Sequence, residues 1–178
     1  GQLGAELRFN EADRSYEITR LVTGDAWDAG ADSPLNAVGV EARVGERIVS
    51  VNGQRVSFER PPQALLVHQA NAKVELTLTS DAGTRTVLVN TLADEVPARY
   101  REWVERNRAW VHERSGGQVG YFHLPDMMAA GYAEFHRYFN AECDRAALIV
   151  DVRYNRGGHV SSLLLEKIAR KRIGYAHT

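Results

Sequence analysis

The sequence predicts an α+β chain in which a small, partly open β-barrel is followed by the start of an α/β layered domain. In the first 92 residues, apolar and polar side chains alternate in short runs between turn signals, which is typical of half-buried strands. After residue 92 the apolar spacing changes to three and four residues, and strand and helix patterns then alternate, as in α/β domains. We therefore expect two domains, 1–92 and 93–178, the second of them truncated.

The first half contains five or six strands and one short helix. The strands are predicted at Ala5–Phe9, Tyr16–Val22, Glu46–Val51, Val74–Thr79 and Arg85–Val89. Asn52-Gly53 favours a tight turn after the third strand, because both positions tolerate positive φ. Pro61-Pro62 begins a helix that we expect to run to Gln69, with proline in the first turn, where no amide donor is missed.

The second half begins with an amphipathic helix that Gly116-Gly117 ends. The residues that recur at three- and four-residue spacing, and so give the helix one apolar face, are Tyr100, Trp103, Val104, Asn107, Trp110 and Val111. The elements that follow are a strand at Gln118–Leu124, a helix at Ala129–Cys143, a strand at Ala146–Val152 and a helix at Ser161–Lys171. The strand at Ala146–Val152 is almost continuously apolar, which predicts a parallel strand buried on both faces. Trp27, Trp103 and Trp110 are expected to be packing residues.

Composition and charge exclude several functions. The 178 residues include 22 Lys and Arg against 23 Asp and Glu, a net charge of −1, which argues against a nucleic-acid partner bound through bulk charge. No apolar run approaches the roughly 20 residues that cross a bilayer, so we expect no membrane partner. We also expect a cytoplasmic location. Cys143 is the single cysteine and the six histidines lack ligand spacing, so we expect no metal and no cofactor.

Gly1-Gln2-Leu3-Gly4-Ala5 leads directly into the first strand. Glycines on either side of an apolar residue allow consecutive N–H groups to point into one concavity, which suits a carboxylate. Because the following strand can pair with an extended peptide, the segment predicts a receptor for a peptide carboxy terminus. The alternative is a simple glycine-containing entry to a strand.

This loop resembles the Gly-Leu-Gly-Phe carboxylate loop of PDZ domains, and Gly45–Gln54 is similar to the Gly-Asp-x-Ile-x-x-Ile-Asn-Gly segment of protease-associated PDZ domains. The last two strands match the permuted strand order of those bacterial domains. The resemblance implies a PDZ-like domain that binds peptides between the first strand and the short helix, where Ala64 and Val67 would form the floor and Arg60 would reach a polar ligand group. The peptide-binding residues that we expect are Leu3, Gly4, Ala5, Leu7, Arg60, Ala64 and Val67.

Asp151–Ser161 combines the end of a parallel strand, two adjacent glycines and the start of a helix. Exposed amides in such a turn can stabilise a developing oxyanion. The segment resembles the Asp-x-Arg-x-Asn-x-Gly-Gly turn of the C-terminal processing and tricorn serine proteases. The segments Asp25–Asp28, Ser33–Leu35 and Lys171–Tyr175 are also similar to the tricorn proteases in order and spacing, so the resemblance covers essentially the whole chain.

The resemblance implies a PDZ-like domain coupled to a crotonase-like, ClpP-like α/β serine protease domain. It also implies that this chain is part of a longer protein, called the parent protein below, which degrades peptides. The assembly that the resemblance suggests for the parent protein is a homo-oligomer, namely a hexamer. The resemblance assigns the Gly158 amide to the oxyanion hole and gives Gly157 the role of shaping the turn. The family's nucleophilic serine and its histidine base match no position here, so we expect this chain alone to be inactive. Ala176 stands where a related protein has an acidic pocket residue, so no preference for cleavage after basic residues is implied.

Two alternatives remain open from the sequence. One is a stand-alone PDZ peptide-binding module whose extra helices form an interaction surface, and the other is a noncatalytic scaffold built from a degenerate protease domain. The Asn-x-Gly-Gly turn favours the peptidase over the binding module, because a module that only binds peptides does not need it. A Gly-Ser-Asp turn beyond Thr178 would separate the peptidase from the scaffold.

Overall fold

The computed structural model describes residues 1–169. The backbone forms two compact units, the first ending at Trp103 and the second beginning at Val104. The strands of the first unit are β1 (Ala5–Asn10), β2 (Ser15–Leu21), β3 (Arg47–Val51), β4 (Gln54–Arg55), β5 (Lys73–Ser80) and β6 (Gly83–Asn90). They form an antiparallel sheet in the order β1-β2-β3-β5-β6, with β4 paired to β3.

Alternating positions of these strands bury one continuous core. Ile18, Ile48, Leu76 and Leu78 have no exposed surface, since the inward side chains of neighbouring strands face the same layer. The five predicted strands are confirmed within two residues at each end, and only the two-residue β4 was missed. Mixed α/β structure with an antiparallel sheet is therefore established, while closure of the sheet into a PDZ-like barrel stays a prediction.

The helix predicted at Pro61–Gln69 is much shorter than expected. α1 spans only Pro62–Leu65, with proline at its first position as predicted. The chain leaves the helix at Leu66, and His68 then adopts a left-handed backbone conformation with φ of +60°, which an α-helix cannot contain. The groove predicted beside this helix is therefore bordered by a single helical turn.

In the second unit, two parallel strands pack against helices. α2 (Val96–Ser115) crosses from the first unit into the second, and the elements that follow are β7 (Val119–His123), α3 (Ala129–Glu142), β8 (Ala147–Asp151) and α4 (Ser161–Ile168). Phe122 of β7 contacts Phe135 of α3 edge to face, with ring centroids 5.6 Å apart. α4 begins at the predicted residue, and its predicted end at Lys171 lies outside the described residues.

Two expectations of burial were wrong. β8 is half-exposed, with Ile149 accessible, because α3 packs mainly against β7 and, within residues 1–169, leaves side chains on the faces of β8 partly uncovered. Trp27 is 95% exposed and Trp110 is 57% exposed. Trp110 lies about 120° around α2 from the buried Val104 and so projects from a different side of the helix. Trp27 lies in a surface turn, in which the Asp25 carboxylate accepts a hydrogen bond from the backbone N–H of Trp27.

Candidate peptide groove and candidate oxyanion loop

A cavity of about 240 Å³ lies beside β1 and α1 in the first unit. Leu3, Ala5 and Leu7 line one side of it, and Pro62 and Leu66 line the other. β1 is an edge strand that pairs only with β2 within the described part of the chain, so its second edge is unpaired there. The arrangement offers a pocket with both apolar and polar lining beside an open strand edge, which is the geometry of peptide recognition by strand addition.

The loop before β1 is held in a turned conformation by Gly4 and Ser33. Gly4 has a φ of +61°, and a Cβ there would lie 2.8 Å from the Ser33 Cα, so only glycine fits. The Ser33 hydroxyl donates a hydrogen bond of 2.8 Å to the Leu3 carbonyl. The sequence predicted that N–H groups of this loop bind a ligand carboxylate; in the structure the Gly4 N–H donates to the side-chain carboxylate of Glu95, at 2.8 Å.

Gly4 and three other expected peptide-binding residues do not line this cavity. Arg60, Ala64 and Val67 are exposed and do not line it. Because α1 ends before Val67, the buried side chains of this turn are those of Pro62 and Leu66 rather than those of Ala64 and Val67. Any role of these three residues in peptide binding stays a prediction.

The second candidate site begins where β8 ends, at the buried Asp151. The Asp151 carboxylate accepts a hydrogen bond of 2.6 Å from the Tyr121 hydroxyl and a bidentate pair from the Arg153 guanidinium. Burial alone would raise the pKa of Asp151, but the hydrogen bonds from Arg153 and Tyr121 outweigh it and lower the pKa to about 2. Burial and the hydrogen bond to Asp151 raise the pKa of Tyr121 to about 12. Asp151 is therefore a structural anion that fixes the start of the loop.

Asn155 holds the next part of the loop from both sides. Its side-chain amide nitrogen donates to the Leu124 carbonyl at 2.9 Å, while its side-chain oxygen accepts from the Gly157 N–H at 2.7 Å. The Gly157 carbonyl in turn accepts a hydrogen bond of 2.8 Å from the Met127 N–H. The position of the Gly157–Gly158 peptide is thus set by Asn155 and by the chain that follows β7.

Gly158 is exposed, and within residues 1–169 its N–H donates no hydrogen bond. Its φ of +141° and the 2.2 Å separation between a built Cβ and the Met127 carbonyl oxygen both require glycine. A Gly158→Ala substitution would therefore distort the loop, and its effect on activity would not report the Gly158 N–H alone. α4 begins three residues later without a side-chain cap, and Ser161 and Ser162 occupy its first turn.

Sequence reasoning missed Glu95, Tyr121 and the ion pairs of Glu142. Glu142 is fully buried in the second unit and contacts Arg108, His112 and Arg145. Burial would raise its pKa, but hydrogen bonds from His112 and Arg108 lower it. Only Arg145 is near Glu142 in the sequence; Arg108 and His112 lie 34 and 30 residues before it, so no local pattern indicates the cluster. No cluster of three potential metal ligands occurs in the described residues, nor any helix with the length and apolar character needed to cross a bilayer.

Two family models match the chain, and they divide it in the same order as its two units. Residues 118–175 match the model of peptidase family S41. Residues 1–94, more than half of the chain, match the tricorn protease PDZ domain. The chain therefore belongs to the tricorn protease family.

Individual relatives agree with this assignment. A tricorn protease homolog from Streptomyces coelicolor is 48% identical over 98% of this chain, and one from Saccharolobus solfataricus is 43% identical over 98%. The crystal structure of the tricorn protease matches all of the chain with a TM-score of 0.89 and 36% identity. The chain spans 16% of the length of the two homologs and 17% of the crystallised protein. The match over residues 118–175 does not favour a stand-alone binding module.

Proposed function

We propose that this chain is part of a tricorn-like serine peptidase. In this proposal, residues 1–92 are a PDZ-like peptide-binding domain and residues 93–178 are the amino-terminal part of a crotonase-like, ClpP-like catalytic domain. The observation that carries the proposal is the exposed Gly158, whose N–H has no acceptor within residues 1–169 and which follows a strand in the segment matched by peptidase family S41.

The Gly158 amide would act as an oxyanion donor. When a serine attacks a peptide carbonyl, the carbonyl oxygen becomes an anion, and an N–H already oriented toward it stabilises the transition state more than the substrate. Gly157 shapes the turn, since its φ of +77° and its hydrogen bond to Asn155 fix the peptide that carries the Gly158 N–H. The start of α4 adds a favourable partial positive charge close in sequence.

The groove of the first unit would bind peptides for the same enzyme. An extended peptide can add to the open edge of β1 through main-chain hydrogen bonds, while its terminal side chain enters the cavity between Leu3 and Pro62. In this proposal the PDZ-like domain selects or retains peptide substrates, and the chemistry takes place in the catalytic domain.

Peptide hydrolysis by the parent protein and by this chain tests the proposal. The parent should cleave unstructured peptides and should be labelled on a serine by a fluorophosphonate probe. The 178-residue chain should do neither, because the nucleophile and base of the family match no position in it. Labelling of Ser161, Ser162 or another serine of this chain would contradict the assignment, and an inactive, unlabelled parent would support the scaffold alternative.

We further propose a homo-oligomeric, hexameric parent in the cytoplasm, with peptides as its partners. The supporting observation is the similarity to tricorn proteases across the chain. Sedimentation velocity of the parent protein tests the assembly, since a monomeric parent at micromolar concentration would contradict it.

A further inference from the structure

The carboxylate of Glu95 lies where the sequence predicts a ligand carboxylate. One of its oxygens accepts the Gly4 N–H at 2.8 Å. The other accepts two donors of the Arg99 guanidinium, Nε at 2.8 Å and Nη2 at 2.6 Å. The Glu95 side chain is only 17% exposed and lines the same cavity as Leu3 and Ala5. A charged group is therefore bound by a glycine amide and a guanidinium inside the candidate groove.

The backbone before Glu95 is fixed against the same loop. Gln2 and Leu92 exchange both of their backbone hydrogen bonds, at 2.8 and 2.9 Å, as an isolated antiparallel bridge. The Glu95 N–H donates to the side-chain oxygen of Gln2 at 2.8 Å. Three hydrogen bonds hold residues 92–95 along this loop, and they fix the Glu95 backbone at a position from which its carboxylate reaches the Gly4 N–H.

We propose that Glu95 is an internal ligand that occupies the carboxylate position of the groove and competes with the carboxy terminus of a bound peptide. The inference rests on the proposed peptide-binding function of the first unit. A peptide's terminal carboxylate presents the same two acceptor oxygens as the Glu95 side chain, so the Gly4 N–H and Arg99 can donate to one carboxylate or the other but not to both. Peptide binding then requires Glu95 to swing out of the cavity.

This competition predicts a defined pattern of affinity. Removing the Glu95 carboxylate leaves the Gly4 N–H and Arg99 available to the peptide, and the donor set for an anion is otherwise unchanged. Because a hydrogen bond to a charged group contributes more than one between neutral groups, we expect Glu95→Ala to lower the Kd of a peptide with a free carboxy terminus at least about tenfold. A second substitution, Arg99→Ala, should reverse most of that gain.

The probe is N-acetyl-Ala-Ala-Ala-Val, compared with the same peptide as its carboxy-terminal amide, titrated into the 178-residue chain by NMR. Glu102→Ala is the matched control. Glu102 lies in α2 and matches Glu95 in being 17% exposed, in contacting an arginine at 2.6 Å and in accepting a backbone N–H, but it lies outside the cavity. Glu95→Gln, which keeps an acceptor oxygen and removes the charge, serves if the alanine variant does not fold.

We expect the Glu95→Ala variant to bind the acid peptide more tightly than wild type does, and to bind the peptide amide only weakly. The Glu102→Ala control should show no increase in affinity. The Gly4 amide resonance should shift on substitution of Glu95 alone, before any peptide is added. Equal affinity of wild type and Glu95→Ala for the acid peptide would overturn the inference while leaving the groove intact. Failure of every variant to bind would overturn the inference together with the proposed groove.

Discussion

Replacement of Asp151 by asparagine isolates the charge that fixes the start of the oxyanion loop. The carboxylate is buried and accepts hydrogen bonds from Tyr121 and Arg153. Its pKa falls from 3.8 to about 2 in the folded protein, and one pKa unit corresponds to about 1.4 kcal/mol. We therefore expect Asp151→Asn to reduce the free energy of unfolding of the second unit by about 2 kcal/mol at pH 7.

The pH dependence gives the sharper test. Because the folded pKa lies below the ordinary value, the stabilisation is fully present above pH 4 and is lost as the pH falls toward 2. At pH 3 the difference between wild type and variant should be about half of its value at pH 7. Urea unfolding followed by the amide NMR signals of Phe122 and Val150 reports this unit by itself.

Glu113→Gln is the control for this experiment, since Glu113 is an exposed carboxylate of α2 in the same unit. Its effect should stay within about 0.5 kcal/mol at either pH. A loss for Asp151→Asn no larger than that of the control, or one that does not change between pH 7 and pH 3, would refute the reasoning that the ionised Asp151 anchors the loop.

Three further substitutions test other parts of the structure. Asn155→Ala removes both hydrogen bonds of the side chain that orients Gly157, and urea unfolding should show a loss of about 2 kcal/mol, with a fall in kcat of the parent enzyme. Glu142→Gln removes the charge that three basic side chains contact, which should cost about 2 kcal/mol by the same measurement. Gly4→Ala should destabilise the first unit by about 3 kcal/mol in thermal unfolding, because φ is positive and the added Cβ meets backbone. Gly53→Ala, which has positive φ but open space, should cost only about 1 kcal/mol, and equal losses at the two glycines would contradict the packing argument.

Local patterns in the sequence predicted the elements well because local rules decide them. The Asn52-Gly53 turn, the Gly116-Gly117 helix end and the alternating strands follow from backbone conformation and period alone, and the structure confirms them. The early end of α1 was missed because the turn after Leu66 is set by burial of that side chain in the core, which proline signals do not report.

The candidate site was predictable only where one segment contains it. Asp151, Asn155, Gly157 and Gly158 lie within eight residues, so one motif indicates them together. The contact between Gly4 and Glu95 joins residues 91 positions apart. Nothing near Glu95 in the sequence distinguishes it from an ordinary acidic residue before a helix, because the partner is supplied by the tertiary fold.

The most direct test of the oxyanion assignment removes the Gly158 hydrogen-bond donor and leaves the side chains of the loop unchanged. Proline at position 158 adds a ring, and alanine adds a Cβ only 2.2 Å from the Met127 carbonyl oxygen, so both confuse loss of the donor with distortion of the loop. Replacing Gly158 by glycolic acid in the parent protein exchanges the N–H for an ester oxygen and adds no side chain. The same exchange at Gly39, an exposed glycine whose N–H also donates to no residue in the 1–169 range, is the control.

The measurement is kcat for hydrolysis of an unstructured peptide by the two esters and by the unmodified parent. If the Gly158 N–H stabilises the oxyanion, its ester should lower kcat by about 10²–10³-fold, while the Gly39 ester leaves kcat unchanged. A folded Gly158 ester that turns over at the rate of the Gly39 ester would contradict the assignment of Gly158 to the oxyanion hole.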